Sequence, residues 1–201
     1  MSAQTFLALA GFAFVMSITP GPGNFLLLAS GASFGFARSV PLVLGICGGF
    51  LAVVLLVGVG LGPVFERFPW VYQALQVACG LYVLWLAWRI GRSRALGSGE
   101  PNVEKPVGFL AAALLQLFNP KAWAVALIVT VTHAAPERGL TGLLAVLAVI
   151  AAVNLPALSA WALSGAALRA TLAKGKRLAA FNVAMALLLV ASMAPALLPP
   201  G

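Results

Sequence analysis

Apolar residues gather along this chain in long runs, divided by short stretches where charge and turn residues collect. Cutting at those stretches leaves six runs, roughly 4 to 30, 40 to 62, 70 to 90, 108 to 132, 140 to 165 and 178 to 198. Each meets the ~20-residue length that a helix needs to cross a ~30 Å hydrocarbon core. The longest interval, Gly91 to Val107, is a polar loop carrying Gly97, Ser98, Gly99 and Pro101, and it leaves no room for a soluble domain. The pattern predicts an all-α integral membrane protein with six transmembrane helices, one membrane transport domain over residues 1–201. Met1 to Thr5 holds no basic residue, and the first run continues into Pro and Gly instead of a short cleavage site. That run is therefore expected to stay as the first span and not to be removed as a signal peptide.

Composition sharpens this expectation. Only 8% of the residues are charged and 62% are hydrophobic, against about 25% charged in soluble domains, so the chain cannot cover a water-facing surface. A soluble enzyme, a nucleic-acid-binding domain and a disordered segment are excluded. The net charge of +8 has a topological reading, because Lys and Arg near span ends are retained in the cytoplasm. Arg38, Arg89, Arg92, Arg94, Lys105, Arg169, Lys174, Lys176 and Arg177 fall in the loops after spans one, three and five, whereas Arg67 and Arg138 alone fall in the others, each beside an acid, Glu66 or Glu137. This bias puts the odd-numbered loops inside and both termini outside, with the basic loops setting topology more than binding lipid. The remaining base, Lys121, lies near the middle of span four, where a lysine costs about 2.5 to 3.5 kcal/mol on insertion scales and marks a candidate functional site.

Two helix interruptions recur about one hundred residues apart. Thr19-Pro20-Gly21-Pro22-Gly23-Asn24 breaks span one, and Asn119-Pro120-Lys121 breaks span four. Proline removes a backbone donor and frees a carbonyl one turn earlier, here around Met16, Ile18 and Gln116, and lipid cannot satisfy it. Spans one and four cross in opposite directions, so the halves 1–100 and 101–201 form two inverted three-helix repeats, each opening with a broken helix. Matching interruptions in inverted halves point to the midplane site of a transporter. Thr19 and Asn119 each precede a proline and read as N-caps of a new half-helix. Two half-helix N-termini at the midplane would offer amides and positive dipole ends to a small anion such as an α-carboxylate. Gly21 lets a ligand approach the backbone, Asn24 and Gln116 add side-chain amides, and Lys121 adds a full positive charge. Lys121 either contacts substrate or bonds the freed carbonyls of span one and locks the halves together.

Other polar residues within the spans are secondary candidates. Asn154, two residues before Pro156, places an amide near the midplane, and Tyr82 lies deep enough in span three to reach a cavity. Trp88 reads as an interfacial anchor, His133 as a surface residue at the outer end of span four, and the G-x-x-x-G spacing of Gly45 and Gly49 as a close helix contact. Cys47 and Cys79 share no C-x-x-C spacing and read as small buried apolar residues.

Several of these motifs occur together in one family. Thr19-Pro20-Gly21-Pro22 with Asn24, Gly35-x-x-Arg38, Gly80-x-Tyr82 with Trp85-Leu86-Ala87-Trp88-Arg89, and Asn119-Pro120-Lys121 resemble the LysE/RhtB family of amino-acid exporters, over essentially the whole chain. Gly23 is an insertion relative to the usual family motif. The resemblance implies a bacterial inner-membrane permease that expels amino acids or close derivatives by using the proton motive force. The stretch Ala29 to Phe36 and the Leu-Trp-Leu-Ala-Trp-Arg segment look like the branch containing cysteine and O-acetylserine exporters. No Asp or Glu lies inside a span to pair with a cationic side chain, which favours a neutral or small polar amino acid and leaves proton coupling to Lys121, His133 or the substrate. No cofactor and no metal site is expected. Partners are the amino-acid substrate and membrane lipid, and six helices are few enough that a homodimer is compatible with the sequence. A metal-cation exporter would want carboxylate or thiolate ligands at the midplane, and a thiol-redox carrier would want Cys beside the prolines. These are the alternatives.

Overall fold

The computed structural model describes residues 2–61, 67–92, 105–133, 139–172 and 176–192, and among them every regular element is a helix. The loop bases Arg94, Arg138 and Lys174, the acids Glu66 and Glu137, and the turn residues Gly97 to Pro101 lie outside the described residues.

In chain order the helices are α1 (Ala3–Ile18), α2 (Pro22–Phe34), α3 (Phe36–Leu56, followed by a π-helical turn Val57–Leu61), α4 (Pro69–Arg92), α5 (Phe109–Phe118), α6 (Pro120–His133), α7 (Gly139–Leu172) and α8 (Arg177–Ala191). Phe36–Gly60 and Gly139–Leu172 are each long and apolar enough to cross a membrane. The pairs α1/α2 and α5/α6 reach that length only together, bent by 60° and 71° at the two breaks. Val77–Ile90 and Arg177–Ala191 are shorter apolar helices. Among the described residues each expected apolar run is thus helical apart from the two breaks, and the protein is a multi-pass membrane protein. Its outer face suits lipid: Leu7, Val131, Leu110 and Leu187 are among many large apolar side chains left exposed.

Both halves show the same order: a bent pair, a long helix and a further helix. The bent pair of each half packs extensively on the long helix of the other, α1 and α2 on α7, α5 and α6 on α3, and α4 pairs with α8. Small residues let these backbones meet. A Cβ on Gly31 would strike the Ala162 carbonyl, and one on Gly165 would strike the Leu28 carbonyl, so α2 and α7 touch main chain to main chain. On α3, Gly45 meets the Phe109 carbonyl and Gly49 lies where a Cβ would be 2.7 Å from the Ala113 Cα of α5. This is the close contact expected of the 45/49 spacing. Gly35, at φ +82°, turns α2 straight into α3 through a conformation open to glycine.

Two apolar clusters form the interior. One joins α2, α4, α5 and α8 to Leu42, Ile46 and Cys47 of α3 and Leu158 and Ala162 of α7. The other joins Leu9 of α1, Val53 and Val54 of α3, Trp123 to Val129 of α6, and Val146 and Ile150 of α7. The breaks lie where the clusters meet.

Candidate functional site

The chain solves the two interruptions differently, because one holds two prolines and the other holds one. Proline disfavours helical geometry in the residue before it. Thr19 before Pro20 is extended at ψ 126°, and Gly21 before Pro22 is extended at φ −164°, ψ 177°. The new helix therefore starts at the second proline. Thr19 is the C-cap of α1, not the N-cap of the next helix as its place before Pro20 suggested, and its amide and hydroxyl both donate to the Val15 carbonyl, at 3.0 and 2.6 Å. The N-cap of α2 is Gly21, which brings no side-chain cap. At the other break Asn119 alone separates α5 from α6, and there the expected cap is present: its Oδ1 accepts the Lys121 amide at 3.0 Å, with Pro120 at the first helical position. One half-helix thus closes its own N-terminus, and the other leaves it uncapped.

The carbonyls that a continuous helix would bond are taken up by side chains. Asn24 reaches back across the first break and its Nδ2 donates to the carbonyls of Ser17 and Thr19, at 3.0 and 2.9 Å. Lys121 donates from Nζ to the same Thr19 carbonyl at 3.4 Å, spanning the two halves. At the second break the Gln116 carbonyl accepts the Asn119 amide at 3.1 Å, and the Leu117 carbonyl accepts the Trp123 indole at 2.7 Å. The Gln116 carbonyl expected to await a ligand is therefore engaged within its own turn.

Between the breaks lies a cavity of about 80 Å³, lined from α1, α2, α3, α5, α6 and α7. At roughly 10–15 Å³ per water position, this suits a small molecule and not a peptide. Thr19, Gly21, Pro22, Asn24, Gln116, Asn119, Lys121 and Asn154 line it together with Ser17 and with apolar Phe12, Met16, Phe50, Val125 and Ile150. Asn24, Gln116, Asn119 and Asn154 are buried there. The Lys121 ammonium stands 3.4 Å from where a Cβ on Gly21 would be, and the Gln116 amide nitrogen is 3.3 Å from the same point on Gly23. Glycine thus lets cationic and amide donors close on the uncapped start of α2. No acidic side chain is among the described lining residues.

Residues 14–197, which include both breaks and Lys121, match the model of the LysE type translocators. The chain belongs to the LysE family. Relatives named cysteine/O-acetylserine efflux protein include one from Klebsiella pneumoniae, 34% identical over 158 residues, covering 77% of this chain and 78% of that protein. Another from Salmonella choleraesuis is 32% identical over 184 residues, covering 89% of this chain and 90% of its own. A third, from Escherichia coli, is 31% identical over 182 residues, with the same coverage. No solved structure matches this LysE chain.

Three expected site residues of this LysE protein stand apart from the cavity. Pro20 and Pro120 bend the chain without lining it. Tyr82 faces α5 instead: its hydroxyl donates to the Ala111 carbonyl at 2.8 Å, and its ring stacks on Trp85 and meets Phe118 edge-on. It ties α4 to α5. Ser17, Phe12 and Phe50 were not singled out by their sequence; the signal for Ser17 was its place one turn before the prolines, where its carbonyl is freed and its hydroxyl donates to Ala13 at 2.7 Å.

Proposed function

We propose that this protein exports small neutral amino acids or close derivatives, of the cysteine and O-acetylserine kind, across the bacterial inner membrane. The observation that carries this reading is the uncapped N-terminus of α2 facing a small cavity beside Lys121. A carboxylate placed there meets the positive end of a half-helix and a full positive charge. The substrate's ammonium takes the carbonyls of Ser17 and Thr19, to which Asn24 and Lys121 donate. Cavity residues Asn154 and Gln116 hydrogen-bond the polar side chain, and without an acid the site has no partner for a cationic one.

The two halves act as inverted repeats that rock about this cavity, with the basic loops in the cytoplasm and both termini outside. Export is driven by the proton motive force, and since no span holds a carboxyl group, the proton carrier is Lys121, His133 or the substrate itself. The repeats form a single transport unit over residues 1–201, working with membrane lipid as solvent and as a homodimer where two units associate.

The test is an intracellular and extracellular amino-acid profile of cells producing wild type, Lys121→Ala or empty vector, at matched membrane levels. Wild type alone should accumulate cysteine, O-acetylserine or a related compound outside. An unchanged profile from properly inserted wild type would remove the exporter reading.

A further inference from the structure

The molecule holds a second, smaller cavity of about 30 Å³, between α2, the end of α4 and the segment leading into α5. Leu26, Ala29, Ser30, Ser33, Arg89 and Lys105 line it. Its polar groups are held in place. The Arg89 guanidinium lies 5.1 Å over the Trp85 ring and donates to the Lys105 carbonyl at 3.1 Å. Ser33, 4% exposed, is tied to Asn182: its hydroxyl donates to the amide oxygen at 3.4 Å and accepts from the amide nitrogen at 3.3 Å. Ser30 shares a 2.8 Å bond with Ser39, whose hydroxyl donates to the Gly35 carbonyl at 2.9 Å. Two basic residues, Arg89 and Lys105, thus line one small space beside the Ser33 hydroxyl, and its described lining has no acid, an arrangement that suits an oxyanion.

The position of this cavity relates it to the first. Pro22 lines the larger cavity, while Leu26, Ala29 and Ser33 line the smaller one. These four residues recur at i, i+4, i+7 and i+11, one stripe of α2. At 1.5 Å rise per residue Ser33 lies about 16 Å along the helix from Pro22, and Leu26, 1% exposed, stands between. We infer that Ser33, Arg89 and Lys105 form an entry subsite that takes the carboxylate of an amino acid on its way from the cytoplasm to the central cavity. The inference rests on the exporter reading and on the inward placement of the basic loops. The volume fits two or three water-sized groups at ~10–15 Å³ each, so it takes the carboxylate and leaves the rest of the molecule at the mouth.

Sidedness tests it. Transport of radiolabelled O-acetyl-L-serine is measured in inverted vesicles, which present the cytoplasmic face, and in right-side-out vesicles, with protein levels matched. Arg89→Gln and Lys105→Gln should each raise KM about tenfold in inverted vesicles at a kcat within twofold, the loss of one charged hydrogen bond; because kcat/KM from the two faces is linked by the overall equilibrium, it falls equally in right-side-out vesicles, but there through kcat, with KM within twofold. Arg89→Lys should recover part of the affinity. Lys105 is exposed and outside any helix, so its variant reads out even where Arg89→Gln fails to insert. A KM raised equally from both faces, or unchanged from both, overturns the subsite. So does wild-type transport in proteoliposomes that needs phosphatidylglycerol when Arg89→Gln does not, which marks a lipid headgroup site instead. Wild-type vesicles that carry no amino acid remove the exporter reading and this inference with it; active wild type with unaltered variants removes the inference alone.

Discussion

Asn24 and Lys121 come from different halves of the chain and converge on the carbonyl of Thr19. Each replaces a backbone donor that proline or an extended residue withdrew, so each has a structural task before any ligand arrives. Asn24→Ala leaves the Ser17 and Thr19 carbonyls without that amide, and a loss of about 1–3 kcal/mol is expected, read as a lower Tm of the detergent-solubilised protein. Lys121→Ala should bring export down to the vector level at unchanged membrane abundance, with Lys121→Arg retaining a fraction of it. The cap at Asn119 was legible in the sequence because a single proline leaves one place for the helix to restart. At Thr19 two prolines compete, and the later one wins because both residues preceding a proline are forced to be extended. Tyr82 was misplaced for another reason. A span is apolar on its lipid face and on its buried face alike, so sequence gives depth but not the direction in which a side chain points.

At the scale of helices, the contacts between α2 and α7 and between α3 and α5 depend on missing side chains. Gly31→Ala or Gly165→Ala puts a methyl group against a carbonyl of the opposite backbone, which cannot fold away as a flexible side chain would. Each should cost about 1–3 kcal/mol or more, measured as a fall in Tm and in membrane level. Gly11→Ala is the control: nothing lies within 4 Å of the added atom, and in a helix interior Ala is favoured over Gly by about 0.8–1 kcal/mol, so Tm should hold or rise. That the apolar runs are helical was legible where they are described, since apolar length and hydropathy determine it, although the helix Gly139–Leu172 runs past the expected end at 165. The pairing of each bent helix with the long helix of the other half was not. It depends on which small residues meet which, and Gly165 in particular sits in a run with no spacing that marks it.

For the whole molecule, the interior is two apolar clusters with the polar cavity at their junction. Cys47 and Cys79 are both buried in the first cluster, as their sequence context suggested. A Cys47→Ala, Cys79→Ala double variant should keep export within about twofold of wild type, since it removes two small apolar side chains and no cavity residue. Loss of export with intact membrane levels would instead implicate the thiols. The main-chain contacts noted above also decide what can move. Where backbones touch there is no cushion of side chains to shear, so the contacts of α2 with α7 and of α3 with α5 are points about which the proposed halves turn and not surfaces along which they slide. The Lys121 bond to the Thr19 carbonyl joins the same two halves at the cavity. On the proposed reading, a zwitterion that drew the Lys121 ammonium to its own carboxylate would release that bond, so the cargo would itself loosen the junction that holds it.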